Sequence, residues 1–191
     1  MRIFLAVFPP PEAQALALTC AARVREAAGS AAGHVSWVKL ENLHYTLKFL
    51  GELGEDGARR AGVAAHEAAD SLSAFDIELG AAGAFPNARN ARVLWLGCER
   101  GAKEFVELAS RVDVALEKRG FEREKRPFSP HLTLGRVRES RHDWAAALAA
   151  APSPAGEAAA RFRVSEVRVM KSTLSPRGSI YETLASATLS S

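Results

Sequence analysis

A chain of 191 residues, 48 % apolar and 25 % charged, is long enough to bury a core and too evenly mixed to be a disordered or fibrous segment. Its formal net charge of +3 comes without any run of five or six like charges, so a hold on a polyanion must be local. Cys20 and Cys98 are too few and too far apart for a disulfide framework or a zinc cluster, and the apolar N-terminal run is too short for a signal-peptide core or a membrane span. A cytoplasmic protein with reduced thiols and no membrane contact is expected.

Taken in order, residues 2–8 read as a strand stopped by Pro9-Pro10-Pro11. A helix should start at the last of these prolines, which fits a first helical turn, and run to about Gly29. Trp37-Val38 leads to Asn42 and a strand over 43–50 closed by Gly51, followed by a helix over roughly 56–72 with a weak apolar face. Residues 75–84 and 92–98 read as two strands joined by the turn residues 85–90. Gly101 to Arg119 carries Phe105, Leu108, Val112 and Leu116 at helical spacing and ends at Gly120. After the basic segment 123–126 come a strand over 130–137, an alanine-rich helix over about 141–151 and a loop over 152–156. Strands over 161–171 and 179–188, meeting at the turn Ser175-Pro176-Arg177-Gly178, finish the chain. This order predicts an α+β fold, mostly antiparallel, with helices outside.

The tetrapeptide His44-Tyr45-Thr46-Leu47 recurs as His131-Leu132-Thr133-Leu134. In a strand the His and Thr of each copy share one face, while Leu47, Leu132 and Leu134 anchor the other. Two such strands facing one another across a cleft would each contribute an imidazole and a hydroxyl. In-line displacement at a phosphodiester needs a base beside the entering water and an acid beside the departing oxygen, and histidine serves either role near neutral pH. Threonine hydroxyls can bond the non-bridging oxygens. A lone H-x-T in a strand is usually structural; two copies on hydrophobic strands reverse that balance. A metal site is the weaker alternative, because no carboxylate or cysteine cluster stands at ligand spacing near either motif. His34, His66 and His142 lack the motif and read as surface or loop residues. Lys48 shares the parity of His44 and Thr46 and is a candidate for the cleft edge, and Tyr181 is a candidate base-stacking residue. Trp37 and Phe49 read as core packing, and Arg89 as a surface arginine.

The segments Asn42-Leu43-His44-Tyr45-Thr46-Leu47-Lys48-Phe49-Leu50-Gly51 and Arg126-Pro127-Phe128-Ser129-Pro130-His131-Leu132-Thr133-Leu134-Gly135-Arg136 resemble the two signatures of the 2H phosphoesterases. Within that superfamily the chain resembles the LigT-like RNA 2′,3′-cyclic phosphodiesterases, historically called 2′-5′ RNA ligases, and Arg2-Ile3-Phe4, Gly83 to Pro86, Arg92 to Gly97, Lys171 to Leu174 and Gly178 to Glu182 extend the match. The resemblance implies one domain over residues 1–191 built of two intimately packed lobes with the motifs facing a central cleft. It implies opening of RNA 2′,3′-cyclic phosphate ends to 2′-phosphomonoesters without metal or other cofactor, on RNA ends or small cyclic nucleotides; a monomer is expected. By position His44 and His131 take the catalytic roles and Thr46 and Thr133 the phosphate-binding roles. His44 is assigned to the departing 3′ oxygen and His131 to the water, with the reverse as competitor. Arg126, like Lys48 and Tyr181, is a candidate substrate contact. Reversible 2′-5′ joining of RNA ends, and a non-catalytic RNA-end-binding module, are the alternative functions.

Overall fold

The computed structural model describes residues 1–139, 142–176 and 178–190. The first part of the chain forms β1 (Arg2–Val7), α1 (Pro11–Ala28), β2 (Val35–Trp37), β3 (Tyr45–Glu52) and α2 (Glu55–Asp70). Then follow β4 (Phe75–Phe85), β5 (Val93–Arg100), α3 (Ala102–Glu117), β6 (Leu132–Val137), α4 (Ala145–Ala150), β7 (Arg161–Val164), β8 (Glu166–Ser175) and β9 (Gly178–Thr188). The strands make one sheet in the order β7-β4-β5-β6-β3-β1-β8-β9, with β2 added to β6. Every strand pairing among the described residues is antiparallel. The α+β class, with antiparallel strands and helices outside, is as expected from sequence. No helix among the described residues is long and apolar enough to cross a membrane.

β1 explains its own composition. It lies between β3 and β8, and Ile3, Leu5 and Val7 join the main core under the helices while Phe4 and Ala6 join a second cluster with Met170 on the opposite face. A strand covered on both faces reads as a continuous apolar run rather than an alternation. α1 begins with Pro11 in its first turn and ends at Gly29, whose φ of 54° lies in the left-handed region that glycine tolerates. α3 buries Phe105, Leu108, Val112 and Leu116, as its spacing predicts, and packs on α2.

Two expectations are corrected. The strand expected over 161–171 divides at Ser165: β7 pairs with β4 and β8 with β1, so one sequence run serves both ends of the sheet. The alanine-rich helix covers only Ala145–Ala150, and the start expected at residue 141 lies outside the described residues, as does Arg177 of the final turn. The two motif strands, expected as separate strands facing a cleft, meet within one curled sheet. β3 and β6 are neighbours in the same sheet, joined through the pair Tyr45 and Leu132.

Both strands bulge at the same place. Ala6 opposes Thr46 and Leu5 opposes Lys48, which leaves Leu47 as an extra residue; Trp95 opposes Thr133 and Leu94 opposes Gly135, which leaves Leu134 extra. A bulge reverses the alternation beyond it. Lys48 therefore lies on the helix-covered face opposite Leu5, not at the cleft edge, and Phe49 comes to the other face beside Phe4, 62 % exposed rather than in the core. In the second copy Gly135 takes the inner position, where a Cβ would stand 2.6 Å from a methyl of Val35, and Arg136 takes the outer one.

On the inner face Lys48 donates to Asp113 of α3 and to the carbonyl of Glu122, while Asp113 also accepts from the amide of Glu124 at 3.1 Å and pairs with Arg123 at 3.3 Å. The side chains of Lys48 and Asp113 are only 8 % and 13 % exposed. Burial alone would raise the Asp113 carboxyl, but Lys48 and the Glu124 amide hold it below its ordinary value. This network ties the motif strand to the loop that precedes His131. Removing one member strands a charge away from water, so Asp113→Ala is expected to cost about 3 kcal/mol in denaturant unfolding and Lys48→Met with Asp113→Leu markedly less. Because the carboxyl is depressed, the stabilisation is present above the unfolded-state pKa and is lost as pH falls through the folded value.

Candidate active site

The pairing of Tyr45 with Leu132 decides which groups meet. Both residues are fully buried on the inner face, so alternation turns His44, Thr46, His131 and Thr133 together onto the outer face. That single pair brings the two motifs together at the start of β3 and of β6, with both imidazoles and both hydroxyls on the same face.

The two histidines are held alike. His44 Nδ1 lies 2.7 Å from the carbonyl oxygen of Asn42, and His131 Nδ1 lies 2.8 Å from that of Ser129, in each case two residues upstream. A carbonyl only accepts, so Nδ1 carries the proton and donates, which leaves Nε2 of each ring for proton transfer. Asn42 also donates from Nδ2 to the carbonyl of Ser179 at 2.8 Å, which fastens this anchor to β9.

Their surroundings differ. Ring centroids of Phe4, Tyr181 and Phe8 stand 5.0, 5.3 and 5.4 Å from that of His44. His131 meets the edge of Phe85 at 5.0 Å, and Phe85 is backed by Trp95 at 4.9 Å. Trp95 in turn lies over Gly83, where a Cβ would stand 2.3 Å from the indole, so only glycine leaves room for that ring. Burial pushes His44 down to about 4, against a smaller upward pull from the Asn42 carbonyl, and the charge of Arg136 lowers it further. His131 is lowered by burial and, in part, by the same arginine. Both rings are therefore neutral near pH 7 in the free protein.

Of the substrate contacts expected from sequence, Tyr181 stands in the site, edge-on to His44. Lys48 does not, for the reason given by the bulge. Arg126 is 88 % exposed on the loop after α3, 3.6 Å from Glu124, and borders a recess of about 530 Å³ that Phe49 shares. Trp37 donates to the carbonyl of Ala32 at 3.2 Å and packs in the core, and Arg89 is an exposed partner of Asp143. Sequence reasoning missed Arg136. Its parity is opposite to that of His131 and Thr133, which argues for the wrong face until the bulge at Leu134 is known; the cation two residues after the second H-x-T-L, where the first copy has Phe49, was the available signal. Among the described residues no group of three or more His, Cys, Asp or Glu is placed to hold a metal ion. If the aromatic enclosure depresses His44, Tyr181→Ala should move its titration up towards the ordinary 6.5, read from the ring proton resonance, while leaving that of His131 nearly in place.

Comparison with known proteins bears directly on this arrangement. The model of the 2′-5′ RNA ligase superfamily matches residues 9–175. The RNA 2′,3′-cyclic phosphodiesterase of Methanothermobacter thermautotrophicus is 38 % identical over 159 residues, 83 % of this chain and 85 % of that protein. A crystal structure from Thermus thermophilus superposes with a TM-score of 0.81 at 27 % identity, over 99 % of this chain and 98 % of that one. The crystal structure of E. coli LigT complexed with 3′-AMP gives 0.77 at 26 % identity, over 100 % and 98 %. With a matching model over most of its length and a relative this close, the chain belongs to the 2′-5′ RNA ligase superfamily.

Proposed function

We propose that the protein is an RNA 2′,3′-cyclic phosphodiesterase that opens cyclic ends to 2′-phosphomonoesters by acid-base catalysis between its two histidines, without a metal ion. The observation that carries this reading is the matched pair of imidazoles on one sheet face, each with Nδ1 engaged by a backbone carbonyl and Nε2 left for chemistry. The relatives named for this activity and the LigT complex with 3′-AMP support the same substrate class.

In the reaction one Nε2 takes a proton from water as its oxygen attacks phosphorus, and the other gives a proton to O3′ as the P–O3′ bond breaks, leaving the phosphate on O2′. Thr46 and Thr133 donate to the non-bridging oxygens, and Arg136, the cation whose field reaches both histidines, offsets the charge that gathers there. These groups supply both proton transfers and the charge stabilisation from the chain itself. The anionic phosphate raises the affinity of both rings for a proton, and so supplies the protonated acid that the free site lacks. His44, enclosed by three rings, is the less easily protonated in the free protein; the limb of the pH profile that each ring controls tells which acts as base and which as acid. Attack by the 5′-hydroxyl of a second strand in place of water, with the same loss of O3′, would make a 2′-5′ bond, the activity in the superfamily's name.

The decisive assay incubates an oligoribonucleotide ending in a 2′,3′-cyclic phosphate with protein in exhaustively chelated buffer and separates 2′- from 3′-phosphate products. Only the 2′-phosphate is expected; no turnover, or turnover restored by one added metal, would sink the reading. His44→Ala and His131→Ala should each lower the rate by about two to four orders of magnitude and each remove one limb of a bell-shaped pH profile. Loss of the low-pH limb marks the base. Arg136→Ala should keep the fold, since the side chain is exposed, and cost about 1.5–3 kcal/mol in kcat/KM, the range for a hydrogen bond to a charged group.

A further inference from the structure

Beside His44 the sheet opens into a cavity of about 940 Å³. That lies near the top of the range of about 300–1,000 Å³ for pockets that bury a drug-sized ligand, and a single terminal nucleoside needs less. Phe8 and Tyr181, which pack against His44, form part of its wall, so the cavity adjoins the active site across those two rings. Its other walls combine apolar surface with cations. Ile180, 59 % exposed, and Met170 supply the first; Lys39, Arg163 and Arg168 supply the second, against Glu41 and Glu166.

Two of the cations are set up for an anion in different ways. Arg168 lies 5.3 Å over the ring of Phe8 and is fixed by Glu166, whose second oxygen accepts from Ser186 Oγ at 3.1 Å. The guanidinium is therefore held in place before any ligand arrives, and less entropy is lost when it makes a contact. Lys39 is exposed at the start of the 3₁₀ turn Leu40–Asn42 that leads into His44, and its ammonium has no hydrogen bond or ion pair among the described residues. An exposed aliphatic and a tyrosine beside a fixed and a free cation form the pattern that takes a base and a backbone phosphate of a single strand.

We propose that this cavity is a subsite for the nucleotide preceding the cyclic end of an RNA strand, with its base against Ile180 and Tyr181 and the phosphodiester that links it to the terminal nucleoside between Lys39 and Arg168. The protein then acts on strand ends in preference to free cyclic mononucleotides. The inference rests on the cyclic-phosphodiesterase reading above.

The test compares kcat/KM for a 2′,3′-cyclic mononucleotide and for an oligoribonucleotide with the same cyclic terminal nucleoside, in the wild-type protein and in Lys39→Ala. The oligonucleotide should be preferred by about tenfold or more, and Lys39→Ala should remove most of that preference without changing the mononucleotide value. The plot of log kcat/KM against log salt should be steeper for the oligonucleotide, and Lys39→Ala should make it shallower by about 0.7, the release expected for one phosphate of a single strand. Equal kcat/KM for the two substrates, or an equal effect of Lys39→Ala on both, overturns the subsite and leaves the phosphodiesterase reading standing. An oligonucleotide-specific loss in Phe49→Ala but not in Lys39→Ala also overturns it, by placing the strand over Phe49 and Arg126. Failure to open either substrate overturns both readings.

Discussion

The pairing of Tyr45 with Leu132 is the constraint on which the site depends. It is the register point that joins the two halves of the sheet, and both side chains are sealed inside, Tyr45 against Phe105 at 4.8 Å. A slip of one residue on either strand would carry a histidine and a threonine to the helix-covered face and bring buried groups outward. Core burial therefore fixes the chemistry: the apolar residue between His and Thr in each motif is what forces those two side chains out.

The bulges at Leu47 and Leu134 extend this logic and break its symmetry. Each adds one residue to the motif strand and flips the alternation, so that equivalent positions hold Lys48 and Gly135 inside, Phe49 and Arg136 outside. The inner pair serves stability, through the Asp113 network in one copy and the close approach of β2 in the other. The outer pair gives one side of the site an exposed aromatic ring and the other a cation. The two motif strands thus present two histidines, held alike at Nδ1, in unlike settings.

Electrostatics in the free protein favour neutral histidines. Burial and Arg136 both oppose protonation of the histidines, and an arriving phosphate reverses that balance with its own charge. In the proposed reaction the charge of the substrate completes the catalytic protonation state, and Thr46, Thr133 and Arg136 stabilise the charge that gathers on the phosphate.

By itself the sequence determined the class of fold, most element positions and the four motif residues, because these rest on local rules: period, turn chemistry, and a repeated tetrapeptide whose polar and apolar members must part to opposite faces. The core stripe of α3 was legible for the same reason. Tertiary structure decided the rest. Whether the motif strands face or adjoin one another, where 161–171 divides between β4 and β1, and which face Lys48, Phe49 and Arg136 take all depend on pairing partners far along the chain. A bulge is defined only by the strand opposite it, so simple alternation put Lys48 at the cleft and Phe49 in the core and left Arg136 unnoticed.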